Sequence, residues 1–380
     1  VPYADGRTFY DADSHLMELS HWLVTYADPE IRDRLRPLYL GGAGVLAEQA
    51  IAAAETRRGN PAAAVALEAN LMTAKGWHAL GAFDPVERSR ALDLLGFEKQ
   101  LVFSTFAATQ FLGDDFDLLY GGARAHNRAI AEFCAHDDRL IGVGFVPWGD
   151  PERTSLAATE AIAMGCGAIL IPSQPPRDKS PTHPDYHGLW ARLEEAAVPF
   201  MLHVGGGGRP LRSAFHQNGK PKTTDFLGGG ENIRSKDFMV LHNPPETLLS
   251  CMVLDGIFES FPGLRGGCIE QGAMWVIPWL KRLDLAQQTF QRTEPALRLP
   301  RRASEYVRGH VWFTPFPTEP VGWMIQQAGE DLFLFSSDYP HPEGGRDPVR
   351  RFESSLEGIP ESAKQRFYSV NFADMMNLSY

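Results

Sequence analysis

The sequence predicts an α/β fold, a (β/α)8 TIM barrel, and three observations carry that reading. Short apolar, β-rich runs recur eight times along the 380 residues, and stretches of helical periodicity separate most of them. The runs are continuously apolar rather than alternating, as strands covered on both faces must be. A doubly wound open sheet is the structural rival, but no G-x-G-x-x-G turn follows the first run.

The first run surrounds Phe9 to Asp13. Behind it, Ser20 to Lys99 is Ala-rich and helical in character, too long for an ordinary connection, and reads as an insertion at about 20–99. The second run, QLVFST from Gln100, leads into a helical stretch from Asp115 to His136, where His126 and Asn127 read as packing or supporting groups. LIGVGFVP from Leu140 and a helix from Pro151 to Met164 come next, then AILIP from Ala168, a Pro-rich loop from Pro172 and a helix from Tyr186 to Ala197. The fifth run, PFMLHV from Pro199, opens a Gly-rich, Lys/Arg-bearing excursion over 205–238, read as a loop insertion or lid, before a helix from Glu246 to Phe261. GGCIEQ from Gly266, VWFTPF from Val311 and LFLFSSD from Leu332 complete the set, with helical stretches Met274 to Gln288 and Glu319 to Ala328 between them. No internal repeat breaks the pattern, so 1–380 reads as one domain.

A formal net charge of -11 argues against general nucleic-acid or membrane-surface binding, and 44% hydrophobic residues exclude a disordered chain. Cys134, Cys166, Cys251 and Cys268 form no C-x-x-C pair and read as reduced core thiols. With no basic-then-apolar leader and no apolar run of membrane-spanning length, the expectation is a cytoplasmic protein.

Polar residues gather where the runs end. Asp13 and His15 close the first, His203 the fifth, Glu270 the sixth and Asp338 the eighth, and Glu18, His242 and His341 lie near enough in sequence to reach the same mouth. Active sites of such barrels are built at the carboxyl ends of the strands, so these residues are expected to converge. Imidazoles with carboxylates suit Zn²⁺, Fe²⁺ or Mn²⁺, and a set without cysteine argues against a structural zinc cluster. A bound cation would also compensate the polar face that Asp11, Asp13 and His15 present at every second position.

The barrel pattern, DADSH at the start, LHVG in the middle and FSSDYPH near the end resemble the amidohydrolase superfamily, in the branch typified by aminocarboxymuconate semialdehyde decarboxylase. The resemblance spans nearly the whole chain and implies metal ligands at Asp13, His15, His203 and Asp338. One departure stands out: the family's usual histidine on the sixth strand is Glu270 here, in CIEQGAMW, which removes a group that normally polarises the substrate and adds an oxygen ligand. The segments YDADSHLME, RAHNRAIAEFC, CIEQGAMW and FSSDYPHPEGGRDP also resemble a branch of this superfamily that activates O₂ at two nonheme irons, typified by the di-iron monooxygenase of platensimycin and platencin biosynthesis.

That second resemblance implies a di-iron monooxygenase; from their places near the strand ends, Asp13, His15, Glu18, His203, Glu270 and Asp338 are then expected as ligands and Glu270, His242 and His341 in catalysis. It would hydroxylate a bulky apolar substrate, diterpenoid or linked to coenzyme A, drawing electrons from a separate donor, since no flavin or Fe–S motif is present. The first resemblance implies the alternative, a Zn- or Mn-dependent hydrolase or nonoxidative decarboxylase. A non-catalytic barrel is a third reading, against which the complete ligand set weighs.

Substrate contacts are expected from Arg209 and Arg212 in the basic excursion, which carries six Lys/Arg against three acids, and from Trp275 and Tyr339 beside the predicted ligands. The partner is a small molecule rather than nucleic acid or membrane, and the assembly state is left open, a homodimer included.

Overall fold

The computed structural model describes residues 2–40, 44–206, 211–221 and 234–378. Eight strands appear in order: β1 (Tyr10–Asp11), β2 (His15–Leu16), β3 (Lys99–Ser104), β4 (Leu140–Phe145), β5 (Ala168–Leu170), β6 (Phe200–His203), β7 (Gly266–Ile269) and β8 (Val311–Phe313). All pairings are parallel: β1 and β2 both lie on β3, and each later strand lies beside its predecessor.

The first predicted strand is split in two, and the eighth is an extended segment, 332–339, without a regular ladder. That segment nevertheless closes the ring. Phe313 donates to Leu332 O (2.9 Å) and receives from Leu334 N (2.9 Å) on one side. On the other, Ala12 N reaches Phe335 O (3.0 Å), Asp338 N reaches Asp13 O (2.9 Å) and His15 N reaches Tyr339 O (2.8 Å). Regular pairing fails where the chain turns its polar side chains into the mouth: Asp338 has φ 51°, in the left-handed region.

Crossover helices start where the sequence supplies an acid and a proline. Asp84, Asp150 and Asp347 each accept from first-turn amides of a helix that opens on proline, respectively Pro85–Leu95, Pro151–Ala163 and Pro348–Ser355. The acid satisfies amides that have no partner within the helix, and proline at the first position sacrifices none. Helix Phe116–Cys134 buries one long face, and its Asn127 side chain grips the end of β4 through Phe145 N (2.6 Å) and Phe145 O (3.0 Å). His126 next to it bonds Ser104 Oγ (2.8 Å) at the end of β3, so both serve packing.

The span 20–99 is helical, with Trp22–Tyr26, Pro29–Arg32, Gly44–Arg57 and Pro61–Glu68 ahead of Pro85–Leu95. Its last helix buries Arg88, Ala91, Leu92 and Leu95. Inside the ring, Ala12, Leu101, Phe103, Val143, Ala168, Met201, Ile269, Trp312 and Leu334 form one apolar cluster, joined by Phe372, Met375 and Met376 of helix Asn371–Met376. The barrel is thus a packed core rather than a pore, and chemistry is confined to its open end. No helix among the described residues is long and apolar enough to cross a membrane.

Candidate metal centre

Ligand atoms of Asp13, His15, His203 and Glu270, all buried, lie within 4.8 Å of one another, and a second group of His15, Asp338 and His341 overlaps the first at His15. His203 Nε2 stands 3.4 Å from Asp13 Oδ1 and 3.5 Å from Glu270 Oε2. His15 Nε2 stands 3.3 Å from Asp13 Oδ1 and 3.6 Å from Asp338 Oδ1. Bonds of about 2.0–2.2 Å to one ion set its donors roughly 3 to 4.4 Å apart, so these spacings suit a cation in their midst. Asp13 and Asp338, 325 positions apart in sequence, meet here as the barrel reading requires.

The donors' state fits that cation. Burial opposes ionisation of Asp13, yet the His15 and His203 rings hold its pKa below the ordinary carboxylate range. Burial and the neighbouring His341 push His15 down to about 3, keeping its imidazole neutral, the form that ligates. Asp13 Oδ2 and His15 Nε2 make no hydrogen bond among the described residues. A buried carboxylate oxygen and a ring nitrogen left so are costly without an ion.

Glu270 and Asp338 share a further trait: φ is 54° and 51°, a region that side chains other than glycine's seldom occupy. Strain of roughly 1–3 kcal/mol at each is the cost of turning both carboxylates into the mouth from the ends of their strands. Behind Asp338, the loop folds back so tightly that a Cβ at Gly344 would lie 2.1 Å from Ser337 O.

Beneath the donors lies a buried relay. Asp11 accepts from Gln100 Nε2 (2.8 Å), Ser337 Oγ (2.6 Å), Ser337 N (2.7 Å) and Asp13 N (3.3 Å). Burial still pushes its carboxyl up to about 7. Gln100 Oε1 in turn accepts from Arg88 Nη1 (3.2 Å), while Arg88 Nε donates to Gly81 O (2.9 Å) and Nη2 to His15 O. Backbone of three donors, Asp13, His15 and Asp338 through Ser337, is therefore tied to one charge pair bridged by an amide.

Several expected site residues sit elsewhere. Glu18 is absent from both donor groups. Its oxygens accept from Thr105 N (2.8 Å), Phe106 N (3.0 and 3.1 Å) and Ala107 N (3.0 Å), and burial pushes its pKa up against the pull of those amides. It anchors the loop after β3 rather than an ion. Tyr339 faces the core instead of a substrate: it is wholly buried, donates to Leu80 O (2.6 Å) and packs its ring under Arg88. His242 stacks on Trp275 (5.6 Å, 16°) with its Nε2 3.6 Å from Glu246 Oε2, outside the converging donors. Together they line a cavity of about 540 Å³ with Pro278 and Arg282. Arg212 is exposed, and Arg209 lies outside the described residues, as does much of the basic excursion.

Lys75 gives no signal in the sequence, because a lysine in an Ala-rich helical stretch reads as solvated. Its Nζ is buried and makes no hydrogen bond among the described residues. Burial pushes its pKa down to about 8, against the pull of Asp338 and Glu343. Its neighbours fix it at the mouth: Gly76 N donates to Pro340 O (2.9 Å) and Trp77 Nε1 to Glu18 O (3.1 Å).

Parallel strands in a ring, with buried imidazoles and carboxylates at their carboxyl ends, define a barrel metalloenzyme. The chain belongs to the amidohydrolase family, whose model, described as Amidohydrolase, matches residues 10–372. Among solved structures it resembles an amidohydrolase of Mycobacterium avium subsp. paratuberculosis K-10 (TM-score 0.74, 22% identity, covering 98% of this chain and 100% of that one). It also resembles 5-carboxyvanillate decarboxylase of Sphingomonas paucimobilis (0.62, 17%, 98% and 100%). A third similar structure is a dihydroxybenzoic acid decarboxylase of Polaromonas sp. JS666 with bound manganese and the inhibitor 2-nitroresorcinol (0.62, 15%, 98% and 97%). At these identities the likeness is one of fold. No curated protein matches the sequence.

Proposed function

We propose that this protein is a metal-dependent enzyme that removes CO₂ without oxidation from a small, carboxylate-bearing aromatic substrate, with Mn²⁺ or Zn²⁺ at the centre. The observation that carries the metal dependence is the convergence of buried oxygen and nitrogen donors from both ends of the chain, without a cysteine. Decarboxylase activity draws its support from the solved structures of similar fold and from Lys75, a buried cation at the mouth.

Asp13, His15, His203 and Asp338 would hold the ion, which supplies Lewis acidity toward the substrate's oxygens when bound. Lys75 would receive the carboxylate. Asp13 stays ionised between two rings, so the carboxyl left to return a proton to the carbon that loses CO₂ is Glu270, turned into the mouth by its own backbone.

The test is CO₂ release from 5-carboxyvanillate and 2,6-dihydroxybenzoate by Mn²⁺-loaded protein, with the metal counted. Glu270→Gln is expected to retain its metal and lose about 100-fold or more in kcat; metal lost from this variant would instead make Glu270 a ligand. Lys75→Met is expected to raise KM about 10- to 100-fold, the worth of one charge-assisted hydrogen bond. Unchanged KM in this variant would remove Lys75 from the substrate site.

A second reading, two cations, would draw on Asp338 and His341 as donors apart from Asp13, His203 and Glu270, with His15 Nε2 serving one of the two. Two irons per chain and O₂-dependent hydroxylation would favour it; one Mn²⁺ or Zn²⁺ with CO₂ release without O₂ favours the first.

A further inference from the structure

His15 and His341 stack face to face, ring centroids 3.8 Å apart and 23° from parallel, and both reach the same hydroxyl. Thr105 Oγ1 lies 3.0 Å from Leu16 O, 3.1 Å from His341 Nε2 and 3.5 Å from His15 Nδ1. It also lies 3.7 Å from the Met17 sulfur, a weak acceptor.

A hydroxyl has one proton to give and two lone pairs to receive with. Leu16 O is a carbonyl and can only accept, so at 3.0 Å it takes the proton. Toward both rings Thr105 is then left as acceptor, and the rings must present N–H to it: Nε2–H from His341 and Nδ1–H from His15. When both rings are neutral, as ligation requires, each carries a single N–H and the opposite nitrogen keeps its lone pair. Those nitrogens are the ones facing the carboxylates: His15 Nε2 toward Asp13 and Asp338, and His341 Nδ1 toward Asp338 Oδ1 at 3.1 Å.

We infer that Thr105 is a positioning residue that sets the tautomers of two stacked histidines at once and aims His15 Nε2 and His341 Nδ1 into the metal centre as lone-pair donors. His341 thereby becomes a ligand beside Asp338, held by a residue that never touches the ion. The loop that carries Thr105 is fixed in turn by Glu18, which binds the amides of Thr105, Phe106 and Ala107.

The inference rests on the metal reading, and the test separates the two. Side-chain ¹⁵N shifts of histidine-labelled protein, metal-free and loaded with Zn²⁺, are expected to show an Nδ1–H ring for His15 and an Nε2–H ring for His341, assigned with His15→Gln and His341→Gln. Free Mn²⁺ followed by electron paramagnetic resonance then gives affinity. Thr105→Val, which keeps the shape and loses the hydroxyl, should weaken Mn²⁺ binding by about 10- to 100-fold and mix the tautomers. Thr105→Ser should restore both. Parent affinity in Thr105→Val, equal loss in Val and Ser variants, or the opposite tautomers in the parent would overturn the inference and leave the metal reading standing. A Thr105→Val chain too unstable to purify transfers the decision to the parent's shifts and the Ser variant. A parent that binds neither Mn²⁺ nor Zn²⁺ overturns both.

Discussion

Asp13→Ala is expected to weaken Mn²⁺ binding by more than about 100-fold and to reduce turnover to that of metal-free protein. Loss of a group that merely supports a ligand costs about 10- to 100-fold in affinity, and Asp13 is itself central to the donors, with Oδ1 3.3 Å from His15 and 3.4 Å from His203. Its second oxygen has no other engagement among the described residues, so the side chain contributes little else to the fold. Apo stability should accordingly fall little or rise, because a buried carboxylate leaves with it. Free Mn²⁺ by electron paramagnetic resonance and a urea melt of apo protein check the two halves. A variant that binds Mn²⁺ like the parent would sink the metal centre as assigned.

Arg88→Met is expected to act in the opposite way, on the fold first. The guanidinium is wholly buried, and its departure leaves Gly81 O, His15 O and Gln100 Oε1 without their donor. It also leaves the Asp11 carboxylate's charge without the cation across Gln100. Leaving a buried acceptor without its donor costs about 1–3 kcal/mol, read as a lower urea midpoint at unchanged slope. Arg88→Lys should recover only part, since one ammonium cannot span three acceptors held in different directions. A midpoint within error of the parent's would mean that the relay is not what holds the ligand strands together.

Much of the convergence could be read from sequence because polar groups that close successive apolar runs come to one end of a barrel. Asp13, His15, His203, Glu270 and Asp338 all close apolar runs, and a barrel brings such positions to one face. Glu18 and Tyr339 were harder, since their neighbours decide their roles. Three consecutive amides of a loop some 87 residues away claim Glu18, and one step past Asp338 the chain turns Tyr339 inward onto Leu80 and Arg88. Thr105 ended the run QLVFST in plain view, but a hydroxyl suits a strand as well as a site, and only the two rings converging on it show its use. Lys75 gave no signal, because burial of a lysine is a tertiary fact.

The ring is closed by its last stave, and its floor by Phe372, Met375 and Met376. During synthesis the segment from Tyr10 to Leu16 can pair with β3 early, but its other edge waits for 335–339 while more than three hundred residues leave the ribosome. Over that interval an apolar strand edge and an open-bottomed barrel are exposed to other chains, the condition under which partly made α/β proteins aggregate or recruit chaperones. Nascent chains arrested before residue 332 should therefore be protease-sensitive throughout, and protection should arrive in one late step, once the stave and the helix Asn371–Met376 have both emerged.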